Sequence, residues 1–216
     1  MGKLTQKIPK SLTKVAGKPI LEYTLSSLPS SIEEVFIVIG RLGNQIKNRF
    51  GDKFDKLKIN YIELEKLNGT AGALWKAKKF LKRERFLVLN GDDIYYKKEL
   101  EKMLENNWAF GLAKRIPPRP SYLNIKLNKS GNIAGAGYPT EKEMQGGILI
   151  ATGAYFLDTN IFRYKPVKIA GGEYGLPQTI LKAIKKHPIK AVIMNKWIQI
   201  NTPEDIKRAE KILNNK

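Results

Sequence analysis

Four apolar runs punctuate the first half of the chain: VFIVIG (35–40), KINYIEL (58–64), RFLVLNG (85–91) and WAFGLAK (108–114). Rich in β-branched and aromatic residues, they predict strands. Between them lie GNQIKNRFG, AGALWKAKKFLK and KKELEKMLENN, where apolar residues recur at helical spacing. This alternation predicts βαβ units and an α/β fold with a mainly parallel sheet covered by helices. ILIATGAYFLD (148–158) predicts a further strand, followed by a helix from about Leu176 to Lys186. KAVIM and KWIQI then predict a late pair of strands.

The last helix is the clearest. Thr202 is a good N-cap, Pro203 suits the first helical position, and Glu204 and Asp205 complement the helix dipole. Ile206, Ala209, Ile212 and Leu213 form its apolar face. Residues 115–147 differ in character, with IPPRP, a turn at Lys129–Gly131 and several glycines. They predict a hairpin-containing insertion over one end of the sheet. No repeat, low-complexity tract or composition break divides the chain, so residues 1–216 predict a single domain.

Composition narrows the function classes. With 42% hydrophobic and 27% charged residues, the chain reads as globular, and no apolar run is long enough to span a bilayer. The absence of cysteine excludes disulfides, thiolate metal sites and cysteine nucleophiles, and a cytoplasmic location is expected. The net charge of +19 attracts polyanions. Its lysines are scattered rather than gathered in one tract, which ranks affinity for phosphate above nucleic-acid binding. A single histidine leaves no Ser-His-Asp set, and His187, in a polar turn, reads as a surface residue. Trp75 and Trp108 read as core or interface aromatics.

The candidate chemistry gathers where strands end. In open α/β sheets, ligands bind outside the carboxyl ends of the strands. FLVLNGDDIYY stops an apolar run at Asn90-Gly91 and follows it with Asp92 and Asp93. A strand-end carboxylate can ligate magnesium beside substrate phosphates. It can equally belong to a polar turn before a helix beginning near Lys97. Neighbouring residues in extended chain point to opposite sides, so Asp92 and Asp93 do not face one ion together. Gly69-Thr70-Ala71-Gly72 opens a helix after a strand, where small residues admit a flat ring and free amides favour an anion. Lys10 follows Pro9, whose ring restricts the backbone; it reads as a phosphate clamp or as a solvated lysine.

Taken in order, these segments resemble the sugar-phosphate nucleotidyltransferase family, the group of glucose-1-phosphate thymidylyl-, uridylyl- and cytidylyltransferases. The resemblance runs through LTQKIPKSLTKVAGKPILEYTL, VFIVIGRLGNQIKNRFGD, NGTAGAL, VLNGDDIY, ATGAYFLDTNIF and WIQINTPEDIKRAEKIL. It implies a Rossmann-like domain with a nucleotide-binding half (about 1–114), a sugar-phosphate half (about 115–201) and a closing helix (202–216). The implied reaction is attack of a sugar-1-phosphate on the α-phosphorus of an NTP, giving NDP-sugar and pyrophosphate. By the same resemblance, Asp92 binds Mg²⁺ and Lys10 contacts the nucleotide phosphates. Gly2 belongs to the tail of the phosphate loop, Gly69 and Thr70 lie against the base, and Tyr155 and Glu173 belong to the sugar-phosphate side. Such chemistry needs alignment and charge neutralisation rather than a protein nucleophile.

The chain departs from the family pattern in three places. The family opens with a strand and a Gly-x-Gly-x-Arg-type loop; MGKLTQKIPK aligns just past it, so an N-terminally truncated domain is expected, either with a coding start further upstream or with the gap filled by another chain or a rearrangement. The family's second acidic metal ligand appears as Gln199, an amide that can coordinate through oxygen without the charge. Its Glu-Lys-Pro on the sugar side appears as Gly137-Tyr138-Pro139. These departures support an alternative: a catalytically degenerate binding or regulatory subunit that pairs with an active homologue. Self-association is also open. A basic nucleic-acid binder, argued from charge alone, ranks last.

Overall fold

The computed structural model describes residues 4–65, 68–81, 85–117 and 121–214. Along the chain run α1 (Ile20–Ser26), β1 (Glu34–Ile39), α2 (Gly43–Phe50), β2 (Leu57–Glu63), α3 (Thr70–Ala77), β3 (Arg85–Leu89), β4 (Asp93–Ile94) and α4 (Lys97–Leu104). There follow β5 (Ala109–Arg115), β6 (Asn124–Leu127), β7 (Ile133–Gly137), α5 (Glu141–Gly146) and β8 (Ile148–Asp158). The chain ends with α6 (Leu176–Leu181), β9 (Lys190–Ile193), β10 (Ile198–Gln199) and α7 (Pro203–Asn214). Two compact units form: Met1–Leu67 with Asn90–Leu100 and Lys196–Lys216, and Asn68–Leu89 with Glu101–Asn195.

In the first unit, β1 runs parallel to β2, from Glu34 opposite Lys58 to Ile39 opposite Glu63. On α2, Ile46 and Phe50 lie one turn apart, and both join Leu21, Leu25, Ile39, Leu57 and Ile59 in an apolar cluster. A second cluster gathers Val15, Ile20, Ile94, Ile198, Ile200 and Ala209. It fastens four stretches of chain: the segment leading to α1, the pair β4/β10, Ile200 and α7. Each such side chain contributes roughly 1.5–3 kcal/mol by leaving water. This cluster is what holds the candidate residues of the first unit in register.

In the second unit the strand order is β9-β5-β8-β3. β9 is parallel to β5, while β8 is antiparallel to both β5 and β3. The α/β class therefore stands, with mixed rather than mainly parallel pairing. β8 reaches both neighbours because a bulge between Ala151 and Tyr155 re-aims it, with Gly153 at φ 74° inside the irregularity. Trp108, Phe110, Leu112, Ile125, Leu157 and Ile180 are among the residues of this unit's core. The expected hairpin is present as β6/β7, closed by the Gly131 amide on the Asn128 carbonyl.

Several sequence expectations are corrected. KAVIM and KWIQI do not pair with each other: β9 joins β5, and β10 joins β4. The helix expected over AGALWKAKKFLK stops at Ala77, where its buried face ends and the exposed Lys78, Lys79 and Phe80 begin. The helix expected to reach Lys186 ends at Leu181 and continues as turns closed on Ile180 and Ala183. His187 is half-buried rather than a surface residue, its ring stacked on Trp108 at 4.4 Å. On α7, Ala209 is buried and Ile206 and Leu213 are partly covered, but Ile212 remains 42% exposed.

Candidate active site

Three side chains of the first unit converge. Pro9 enters at φ −54°, and the turn after it closes through Leu12 N–H on the Pro9 carbonyl and Thr13 N–H on the Lys10 carbonyl. From this turn the Lys10 Nζ reaches Asp92 Oδ2 at 2.6 Å and Asn201 Oδ1 at 3.0 Å. Val15, fully buried a few residues on, anchors the segment, and its carbonyl accepts from the Tyr23 hydroxyl.

The two aspartates part company: Asp92 lies in the turn before β4, and Asp93 is the first residue of the strand. The Asp92 side chain is 35% exposed, whereas Asp93 is 2% exposed. Asp93 Oδ1 accepts the Ile200 amide at 3.2 Å, and its carbonyl accepts from Thr24 Oγ1 at 2.9 Å. Burial, and then the neighbouring Asp92 charge, push the Asp93 carboxyl up to about 7, against the opposing pull of the Ile200 N–H, Lys10 and the Trp197 indole. Asp93 is thus a staple between β4 and the residue before Asn201. Asp92 is left to face solvent.

Asn201 was not singled out in the sequence. Its signal was its place, one residue before the helix cap at Thr202-Pro203, at the end of a strand. Asp205 Oδ2 accepts the amides of both Asn201 and Thr202, at 2.8 and 2.9 Å, and Thr202 Oγ1 accepts the Asp205 amide in return. The cap of α7 therefore also sets the backbone of Asn201. Gln199 pairs with Asp93 across the ladder. Ile198 and Ile200 are buried, and Gln199 is half-buried between them.

The second unit builds a different arrangement. Gly69 has φ 91°, and a Cβ there would lie 2.5 Å from the Tyr174 carbonyl oxygen and 2.7 Å from its nitrogen. The Tyr174 amide donates to the Asn68 carbonyl at 2.8 Å, and the Leu176 amide donates to Thr70 Oγ1 at 3.0 Å. The Gly69-Thr70 turn is thus sewn to residues 173–176, with Glu173 exposed beside it. Tyr155, on β8, is 3% exposed and packs edge-on to Phe110, so its ring belongs to the core. A cavity of about 260 Å³ opens next to α6, with Tyr122, Leu123, Ile150, Ala151 and Gln178 in its lining. Among the described residues, no charged side chain lines it, and Gln178 Oε1 is buried without a hydrogen-bond partner.

The family model described as "Nucleotidyl transferase" matches residues 2–215. The chain belongs to the nucleotidyl transferase family. The D-glycero-alpha-D-manno-heptose 1-phosphate guanylyltransferase of Campylobacter jejuni is 30% identical over 92% of the chain and 87% of that relative. The bifunctional protein GlmU of Methanococcus maripaludis is 31% identical over 99% of the chain but 51% of that relative, so the chain spans about half the length of such relatives. Among solved structures, a UDP-glucose pyrophosphorylase complexed with UDP-glucose superposes with a TM-score of 0.83 at 18% identity, covering 100% of the chain and 94% of its own.

Within this nucleotidyl transferase domain, the expected residues fall into two sets. Lys10 and Asp92 meet directly, with Gln199 opposite Asp93 on β10; Gly69 and Thr70 meet the backbone of residues 174–176. Gly2 lies outside the described residues. Among the described residues, no group of three or more His, Cys, Asp or Glu side chains could hold a metal. What is present is one carboxylate oxygen and one amide oxygen gathered around a cation, the ammonium of Lys10. That donor set fits Mg²⁺, which takes one or two protein ligands and fills its remaining positions with water and phosphate oxygens.

Proposed function

We propose that the protein transfers a nucleoside monophosphate from an NTP to a sugar-1-phosphate. A phosphate oxygen of the sugar-1-phosphate attacks the α-phosphorus, the bond to the bridging β-oxygen breaks, and pyrophosphate leaves with the electron pair. The observation that carries this reading is the meeting of Lys10, Asp92 and Asn201 at 2.6 and 3.0 Å. Lys10 neutralises phosphate charge and holds the triphosphate against recoil. Asp92 would hold Mg²⁺, with the Asn201 amide oxygen, which meets the same ammonium, and the Gln199 amide of β10 as further donors. When bound, the ion supplies charge neutralisation at the α-phosphate and at the leaving pyrophosphate.

The turn at Gly69-Thr70 frames the base. The Tyr174 backbone occupies the space where a Gly69 side chain would stand, which fixes the turn against residues 173–176. Glu173 serves the sugar-phosphate side, and Tyr155 supports that side from within the core. The cavity beside Gln178 takes part of the acceptor. The heptose-phosphate guanylyltransferase relative, whose name carries a sugar 1-phosphate, supports this choice of acceptor. Such chemistry belongs to the cytoplasm, where NTP and sugar phosphates meet. No helix of the described residues is long and apolar enough to cross a membrane.

The test is pyrophosphate release from the four common NTPs with Mg²⁺ and a panel of sugar-1-phosphates. Release that depends on both substrates is expected; no release with any pair overturns the reading. A second reading, a non-catalytic partner of an active homologue, is favoured by Tyr138. It is 74% exposed where the resemblance expects a phosphate-gripping lysine. Nucleotide binding without release in the same panel would select it.

A further inference from the structure

Asp92 Oδ2 and Asn201 Oδ1 come from distant parts of the chain, and both point at one cation, which the protein itself provides. The placement of Lys10 is built. Its turn is closed by two backbone hydrogen bonds after Pro9, and Asn201 is set by the Asp205 cap of α7. An ammonium and a divalent ion compete for the same oxygens. At a separation of a few ångströms they repel, so they cannot share the seat.

We propose that Lys10, held also by the Asn201 amide oxygen, is the resident counter-ion of Asp92, and that it makes the protein select a cation–triphosphate complex over the free cation. A bare divalent ion must displace the ammonium and brings no acceptor for it. An ion arriving on a triphosphate brings phosphate oxygens, to which Lys10 transfers its charge-assisted hydrogen bond. The Lys10 side chain is 24% exposed and carries a flexible four-carbon stem, so the transfer needs rotation of the side chain and no movement of the fold. The exchange works in both directions. Once pyrophosphate leaves, the ammonium returns to Asp92 and helps release the ion. Lys10 is therefore a specificity-determining residue as well as a phosphate clamp. The inference rests on the reading of Asp92 as the metal carboxylate.

Binding of Mn²⁺ to the nucleotide-free protein, followed by the loss of the free-ion electron paramagnetic resonance signal, tests it. The unaltered chain is expected to bind weakly. Lys10→Met and Lys10→Gln are each expected to bind roughly tenfold more tightly, the size of one lost charge-assisted hydrogen bond. Adding Asp92→Asn to either variant is expected to abolish the gain. Affinities within about twofold of the unaltered chain in both variants, or a gain that persists without the Asp92 carboxylate, overturn the proposal. The measurement uses no nucleotide and no turnover. A protein that gains Mn²⁺ affinity but releases no pyrophosphate keeps this inference and loses the reaction; one that turns over without the gain does the reverse.

Discussion

The buried carboxyl of Asp93 accepts the Ile200 amide at 3.2 Å, while the carboxylate next to it in the chain, Asp92, faces Lys10. One strand end therefore makes two uses of one residue type. The inward aspartate fixes the stretch that carries Asn201, and the outward one binds a cation. A carboxyl held at about 7, against an ordinary value of 3.8, binds a proton more tightly in the folded than in the unfolded chain.

Stability is expected to be highest near pH 4 on this account, to fall as pH rises towards 7, and to level off above it. The loss is on the order of a few kcal/mol. Asp93→Asn keeps an oxygen for the Ile200 amide and should flatten that slope. Urea unfolding at a series of pH values measures both. Glu143 works with the opposite sign: Lys126 first, then Thr140, hold it down to about 2, so its contribution is present at neutral pH and lost in acid.

Asp92→Asn is expected to leave the melting temperature almost unchanged, since its side chain is partly solvated. Pyrophosphate release should fall by roughly 10²-fold or more, the usual consequence of removing one preorganised electrostatic partner. Initial rates beside a thermal melt separate the two effects.

Gly69→Ala should damage the fold. The added Cβ would meet the Tyr174 backbone at 2.5 Å, at a φ of 91° that L-residues avoid. A destabilisation of about 2 kcal/mol or more is expected. Thr70→Val removes the acceptor of the Leu176 amide and should cost about 1 kcal/mol. Denaturant midpoints of the two variants give the comparison.

His187→Ala removes a ring stacked on Trp108 at 4.4 Å with an interplanar angle of 8°. A loss of about 0.5–1.5 kcal/mol is expected. Trp108 fluorescence should change with it, and an unchanged melt would show that the stack contributes nothing.

Tyr138→Lys places a cation at an exposed position of the second unit, where the family pattern has one. The melt should not move. The KM for the sugar-1-phosphate should fall several-fold, by about the strength of one charge-assisted hydrogen bond. Substrate titration of the variant checks it.

Periodicity along the chain was enough to place β1, β2, β3, β5 and β8 and the cap of α7, because each depends on its own apolar pattern or on a side chain three residues away. The opposite fates of Asp92 and Asp93 agree with the sequence expectation, although Asp92 lies in the turn before β4 rather than in extended chain. Tertiary structure alone decided the rest. β9 and β10 joined different neighbours because strand pairing is a contest among partners remote in sequence. Asn201 became part of the site because a helix cap and a buried carboxyl, both far from Lys10 in the chain, aim its amide oxygen at the ammonium. His187 found a tryptophan 79 positions earlier in the chain to stack on. A local pattern can say which face of a strand a residue occupies. Which atom waits opposite that face is set by packing, and packing is a property of the whole fold.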